Sequence, residues 1–97
     1  FVCDVTFACD CPPWSTNPIV PDRGILASKD IVAIDKASLD LIDECEGIPG
    51  QVGPGRVCTL PSGSIKFLEI HGIDPYLQVK YAEEIGLGSI NYKMYKL

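Results

Sequence analysis

The sequence predicts an α/β fold: a small sheet of about three strands with two to three helices, as part of a larger sheet. Apolar and polar residues alternate over residues 1–7, which is typical of a strand with one buried face. A helical repeat of apolar residues follows Asp30, and a second alternation occupies residues 90–94. Because an ordinary sheet has about five or six strands, three strands indicate that the sheet is incomplete.

The first helix is the best-defined element of this prediction. The apolar run at residues 24–28 indicates a buried strand, and the following Asp30 has the side chain of a helix N-cap. Apolar residues then recur at helical spacing, at Ile31, Ile34, Ala37, Leu41 and Cys45. Gly47 and then Pro49 are typical of the end of a helix.

Three shorter elements follow. Residues 47–63 are rich in Gly and Pro and predict a long loop. Residues 65–70 predict a short helix that breaks at Gly72. Asp74 and Pro75 predict the start of another helix. The apolar face of that helix is predicted from Leu77, Tyr81 and Ile85.

The composition disfavours several classes of partner. The net charge is −5, with 13 acidic and 8 basic residues. Nucleic acids and anionic membranes require clustered Lys and Arg, so we expect neither as a partner. No apolar run approaches the roughly 18 residues of a membrane span. The five cysteines are odd in number, which favours reduced thiols and a cytoplasmic protein.

Residues 1–97 are expected to form a single domain around one hydrophobic core, since the chain is of ordinary domain length. The sequence opens with Phe1, which already belongs to the strand-like pattern. We therefore expect the chain to be the C-terminal fragment of a larger protein.

The clearest candidate for chemistry is a pair of thiols. Cys9, Asp10 and Cys11 follow the first predicted strand and open a proline-rich loop. Thiolates bind transition metals and iron–sulfur clusters. Two thiolates that are separated by one residue can bind the same metal ion. The pattern predicts a metal site of Cys9 and Cys11 supported by Asp10. The alternative is a pair of loop thiols with no ligand.

Four further residues are secondary candidates. Asp4 and Asp22 lie near predicted strand ends, and Asp35 lies one turn into the first predicted helix. All three could serve as ligands or bases in a divalent-metal-dependent enzyme, although Asp35 can equally be a solvated side chain near the helix N-terminus. His71 is the only histidine and lies at a helix break. A histidine there can be a base or a ligand, but it can equally bind the last carbonyls of its helix.

Several motifs together resemble one family. They are Cys9-Asp10-Cys11, Pro18-Ile19-Val20-Pro21-Asp22, Gly24-Ile25-Leu26-Ala27-Ser28 and Asp30 with Val32-Ala33-Ile34-Asp35-Lys36-Ala37. The chain resembles the domain-of-unknown-function family 362, whose members are often described as iron–sulfur-cluster-binding proteins. Later stretches, including Phe67 to Gly72 and Tyr81 to Gly88, look similar to the same family.

The resemblance implies more than the residues do. Members of the family are several times longer, so this chain would be their C-terminal portion. Many members carry a Cys-x2-Cys-x2-Cys insert that this chain lacks, so most ligands of an iron–sulfur cluster or transition metal would lie outside it. The family usually has Pro where this chain has Ile31.

Three functions therefore remain open. The first is a metal-binding or redox protein using Cys9, Asp10 and Cys11. The second is a structural or assembly module that pairs through a sheet edge with the rest of its own polypeptide or with a second copy. The third is a divalent-metal-dependent enzyme using the Asp residues. Neither a phosphate-binding loop nor a nucleophile elbow is present in the sequence, so the reaction, if any, stays open.

Overall fold

The computed structural model describes residues 1–8, 13, 17–51, 57–58 and 60–97. In chain order, its elements are helix α1, two strands, and helices α2 and α3. Their bounds are α1 Ile31–Glu44, β1 Gly50–Gln51, β2 Val57–Cys58, α2 Lys66–His71 and α3 Leu77–Glu84. No helix in these ranges is long and apolar enough to cross a membrane.

The predicted three-stranded sheet is wrong. The strands that the described residues form are the two-residue β1 and β2, which pair antiparallel with Gly50 opposite Cys58. In place of the predicted strands at residues 1–7 and 24–28, a single antiparallel bridge joins Val2 to Gly24.

Isolated backbone bonds replace the ladder. The Ile19 N–H donates to the Val5 carbonyl at 2.7 Å, and the Ile48 N–H donates to the Ile19 carbonyl at 2.7 Å. Pro18 and Pro21 flank this contact and have no N–H to donate. Scattered backbone bonds of this kind therefore hold residues 1–8 and 17–24 in place of a ladder, and alternation alone could not reveal that.

Helix α1 confirms the predicted cap. The Asp30 carboxylate accepts hydrogen bonds from the N–H groups of Val32 and Ala33, at 2.9 and 3.1 Å. The buried side of the helix matches the prediction only in part: Ala37 and Cys45 are buried as predicted. Ile31 is exposed, and Val32 and Ile42 are buried in addition. The helix ends at Glu44, three residues before the predicted Gly47.

A buried lysine closes the C-terminal end of α1. Lys66 is fully buried, and its Nζ donates to the carbonyls of Asp43 at 2.8 Å, Pro61 at 3.3 Å and Ser64 at 3.4 Å. A cation at this end of a helix is favourable because the last carbonyls carry partial negative charge. Burial lowers the pKa of Lys66, and the nearby Asp43 and Cys45 oppose that shift.

The last two helices begin and end close to the predicted positions. Helix α2 ends at Gly72, which has a left-handed conformation with φ 73°; glycine adopts it without steric cost. Before α3, the Asp74 carboxylate accepts a hydrogen bond from the Tyr76 N–H at 2.9 Å. The predicted apolar face of α3 is exposed instead, while Val79 is buried.

One hydrophobic core connects the two halves of the chain. Its buried residues are Val2, Phe7, Ile19, Val20, Ile42, Cys45, Leu60 and Ile70. Helices α1 and α3 pack against each other beside this core. The predicted strand at 90–94 is not a strand. Side chains hold its backbone: the Glu83 carboxylate accepts from the Ile90 N–H at 2.6 Å, and the Ser89 hydroxyl accepts from the Asn91 N–H at 3.1 Å.

Candidate functional site

The predicted thiol pair lies outside the described residues. Cys9, Asp10 and Cys11 fall between Ala8 and Pro13, which are the nearest described positions on either side. The metal site predicted from these three residues therefore stays a prediction. What can be described is the segment that leads into them and the groups that hold it.

The only histidine contacts the segment that leads to the thiols. His71 Nε2 forms a hydrogen bond with the carbonyl of Phe7, two residues before Cys9. The imidazole is also stacked with the rings of Phe7 and Phe67, at centroid distances of 6.4 and 6.3 Å. These contacts fix the position and the plane of the imidazole.

The hydrogen bond to Phe7 also fixes the proton on the ring. A carbonyl only accepts, so Nε2 of His71 must carry the hydrogen. In the neutral imidazole the lone pair then lies on Nδ1. The sequence alternative for His71, a bond to the last carbonyls of its own helix, is not what the structure has, because the acceptor lies 64 residues away.

Two of the three candidate aspartates come together. The Asp22 carboxylate accepts a hydrogen bond from the backbone N–H of Asp4 at 2.9 Å. Asp4 itself has a left-handed backbone with φ 50°, which Asp tolerates better than most residues. Both side chains belong to exposed residues, and Asp22 forms no ion pair with Arg23, which pairs with Glu44 at 3.5 Å.

The third aspartate belongs to a different surface. Asp35 is exposed on α1 and lines a groove between α1 and α3. In the part of the chain that the structure describes, no three His, Cys, Asp or Glu side chains lie close enough to hold a metal ion. The described residues thus join the Asp4 backbone to the Asp22 carboxylate and do not complete a three-ligand site.

The described cysteines pack in ordinary surroundings. Cys45 is buried in the core, and its thiol donates to the carbonyl of Leu41 at 3.2 Å. Cys3 is half-buried, with its sulfur 3.8 Å from the carbonyl of Gly24. Both are free thiols.

A polar cluster that the sequence did not predict joins α1 to the end of the chain. Lys36 Nζ donates to both carboxylate oxygens of Asp40, at 2.8 and 2.7 Å. The Tyr92 hydroxyl donates to Asp40 at 2.6 Å. The Tyr76 hydroxyl lies between two carboxylates, 2.6 Å from Asp43 and 3.0 Å from Asp40. Lys36 also lies over the rings of Tyr76 and Tyr92, at 5.2 and 6.0 Å.

The protonation states in this cluster follow from its contacts. Burial and hydrogen bonding to Asp40 raise the pKa of Tyr92 to about 12. Burial and the contacts with Asp43 and Asp40 raise the pKa of Tyr76 still further. Burial alone would raise the pKa of Asp40, but the hydrogen bonds from Lys36, Tyr92 and Tyr76 lower it overall. Near neutral pH the phenols are protonated and Asp40 is ionised. The cluster therefore connects α1 to Tyr76 and Tyr92 through hydrogen bonds and does not act as an acid–base pair.

One part of this cluster has a sequence signal. Lys36 and Asp40 are four residues apart, which places them on one helix face. The tyrosines are 36 and 52 residues from Asp40 along the chain, and nothing in a single sequence pairs residues that far apart.

Comparison with known proteins adds one match. The model of the family described as "Domain of unknown function (DUF362)" matches residues 1–40. Over residues 1–40, the chain is similar to this family. No curated protein and no solved structure matches the chain. The match confirms the resemblance on its N-terminal motifs, whereas the later motifs that resemble the family, such as Phe67 to Gly72, lie outside the matched residues.

The DUF362 segment, residues 1–40, contains most of the predicted site residues. They are Asp4, Cys9, Asp10, Cys11, Asp22 and Asp35. His71 lies outside the segment but contacts it through Phe7. The last residue of the segment is Asp40, to which Tyr76 and Tyr92 bind from outside. Residues outside the DUF362 segment therefore bind it at two positions, Phe7 and Asp40.

Proposed function

We propose that this chain contributes ligands to a transition-metal or iron–sulfur site, with Cys9 and Cys11 as thiolate ligands and Asp10 as a supporting carboxylate. The proposal rests on the Cys-Asp-Cys spacing within the DUF362 segment. An iron–sulfur centre or iron ion would supply one-electron transfer when bound. This chain would supply two sulfur ligands, negative charge beside the cation and the imidazole of His71 as a candidate third ligand, with any remaining ligands outside the chain.

A second observation that supports the proposal is the contact between His71 and Phe7. Histidines that bind metals almost always donate their other ring N–H to a carbonyl or carboxylate, which fixes the tautomer and the ring orientation. His71 has this arrangement, because Nε2 donates to the Phe7 carbonyl and Nδ1 keeps its lone pair. Two thiolates and one imidazole form a ligand set that suits zinc or iron.

Metal content tests the thiol ligands. The protein, purified anaerobically and reconstituted with ferrous iron and sulfide, is expected to retain iron by elemental analysis and to show thiolate-to-metal absorption. A double variant, Cys9→Ser with Cys11→Ser, should lose both signals. Cys45→Ser is the matched control, because serine can still donate to the Leu41 carbonyl from the core position. A wild-type chain without metal, or a double variant that keeps it, would contradict the proposal.

Two substitutions of His71 separate a ligand from a structural contact. His71→Gln places an amide N–H near the position of Nε2 and can keep the bond to the Phe7 carbonyl. It removes the Nδ1 lone pair and the ring that stacks on Phe7 and Phe67, so we expect iron affinity to fall about tenfold or more and the melting temperature to fall less than in His71→Asn. His71→Asn removes the donor to Phe7 and should lower the melting temperature as well. If His71→Gln binds iron as tightly as the wild type, His71 is not a ligand.

A further inference from the structure

An apolar groove of about 260 Å³ lies between α1 and α3. Four of its lining residues are large apolar side chains that are more than half exposed: Ile31 at 60%, Tyr81 at 63%, and Ile85 and Leu87 at 54% each. Exposed apolar residues scattered singly are ordinary, whereas these four side chains line one groove, which makes the groove a candidate interaction surface. Asp35 lines the same groove and is exposed, so the surface combines hydrocarbon with one negative charge.

The last five residues, 93–97, have the complementary chemistry. They read Lys93, Met94, Tyr95, Lys96 and Leu97. The apolar members are exposed, Tyr95 at 80%. In the described structure, residues 89–97 form no backbone–backbone hydrogen bond with the rest of the chain. The final anchor is the Tyr92 hydroxyl on Asp40, and the five residues beyond it remain outside the groove of their own molecule.

Charge indicates how two molecules would meet. The chain carries a net charge of −5, so two copies repel each other on average. Residues 91–97 contain two lysines and no acidic residue, so a negatively charged copy attracts this segment. Complementary charge of this kind steers association and fixes the register of a contact.

We propose that residues 93–97 of a second copy of this chain occupy the groove between α1 and α3. Lys93 or Lys96 would lie against Asp35, and Met94 and Leu97 would cover Ile85 and Leu87. A reciprocal exchange of the two tails gives a closed, two-fold dimer in which both grooves are filled. Five residues bury much less than the roughly 800 Å² per partner of a standard interface, so the dimer dissociates readily on dilution.

Sedimentation of the metal-free chain at increasing concentration tests the contact. The wild type should shift from monomer to dimer, and a variant lacking residues 93–97 should remain monomeric at every concentration. Asp35→Lys is expected to lower the association constant about tenfold or more, because it places a third positive charge against the tail. Ile85→Glu should do the same through the apolar part of the groove. Circular dichroism verifies that these exposed substitutions leave the fold intact.

A charge exchange distinguishes this contact from any other mode of association. One variant carries Asp35→Lys, and the second carries Lys93→Glu with Lys96→Glu. Each alone has like charges in groove and tail and should be monomeric, whereas an equimolar mixture has opposite charges in both contacts and should form a heterodimer. A monomeric wild type at millimolar concentration would overturn the proposal, as would dimerisation that survives the charge substitutions. None of these readouts depends on metal, so the proposed metal site can fail without affecting this result.

Discussion

At the scale of single residues, Asp40 shows how one ionised carboxylate organises its surroundings. Its two oxygens accept hydrogen bonds from the ammonium of Lys36 and from the hydroxyls of Tyr76 and Tyr92. Each of these bonds favours the ionised form, and together they outweigh the effect of partial burial on its pKa. Each donor comes from a different part of the chain, so Asp40 ties α1, the start of α3 and the C-terminal residues together.

The hydroxyl of Tyr92 should contribute about 1 kcal/mol to the free energy of unfolding, below the roughly 1.5–3 kcal/mol of a bond to a charged acceptor, because Tyr92 is only half-buried. Tyr92→Phe removes it and keeps the ring beside Lys36. The matched control is Tyr95→Phe, because Tyr95 is exposed and its hydroxyl has no partner among the described residues. Urea denaturation at pH 7 measures both, and an equal loss from the two substitutions would contradict a role for the bond to Asp40.

The difference in stability between the wild type and Tyr92→Phe should change at alkaline pH. The pKa of Tyr92 is about 12 in the folded chain, against about 10 for an unfolded tyrosine. The stabilisation by Tyr92 is therefore fully present below pH 10 and is lost as pH rises from 10 through 12, since the unfolded state then ionises first. We expect the stability difference between the wild type and Tyr92→Phe to shrink in that window; a difference that stays constant would show that Tyr92 does not titrate as described.

At the scale of elements, Asp30 does two tasks with one carboxylate. One oxygen caps α1, and the other accepts a hydrogen bond from the Ser89 N–H at 3.0 Å. The backbone at Gly88 lies so close to Asp30 that a Cβ at position 88 would be 2.1 Å from the carboxylate oxygen that caps α1. A carboxylate held by three N–H groups cannot move away without losing them, which is why glycine is needed at position 88.

Substitutions at positions 30 and 88 should therefore not be additive. Asp30→Ala removes the cap and the bond to Ser89, and we expect the melting temperature to fall by about 4–8 °C. Gly88→Ala alone should lower it comparably through the clash. In the Asp30→Ala background the clashing oxygen is absent, so adding Gly88→Ala should cost little. A thermal-melting cycle with full additivity would refute the contact.

An element could be predicted from the sequence where the residues that determine it are close together along the chain. The start of α1 could be predicted because the cap and the N–H groups it accepts are within three residues of each other. The end of α2 could be predicted because Gly72 alone determines it. The sheet could not be predicted, because whether residues 1–7 find partners depends on segments about 20 residues away. Likewise, Tyr81 and Ile85 share a helix face with apolar character, but which face is buried depends on how α3 packs.

For the candidate site, the sequence indicated which residues could carry chemistry but not which residues they contact. Residue chemistry alone indicated the thiols at Cys9 and Cys11 and the imidazole of His71. The contact between His71 and Phe7 spans 64 residues, so the sequence could name the histidine without placing it beside the segment that leads to the thiols. The polar cluster at Asp40 was missed for the same reason, since its tyrosine donors are distant in sequence.

At the scale of the whole molecule, the boundary of the family match does not coincide with a boundary in the core. The match ends at Asp40, within α1. Val2, Phe7, Ile19 and Val20 lie inside the DUF362 segment, while Ile42, Cys45, Leu60 and Ile70 lie outside it, and all eight form one buried cluster. Neither set can be buried without the other, so the two parts should unfold together.

Two core substitutions test this cooperativity. Ile70→Ala, outside the segment, should cost about 2–5 kcal/mol, and Val20→Ala, inside it, roughly 2 kcal/mol. If the core is shared, each substitution weakens the whole chain, so tyrosine fluorescence and far-ultraviolet circular dichroism should report one coincident transition at a lower urea midpoint. Hydrogen exchange provides the sharper readout: in Ile70→Ala, protection should fall equally for amides in α1 and for the Val2 amide that donates to Gly24. If the Val2 amide kept its wild-type protection, residues 1–40 would be stable without the rest of the chain, and the core would consist of two independent parts.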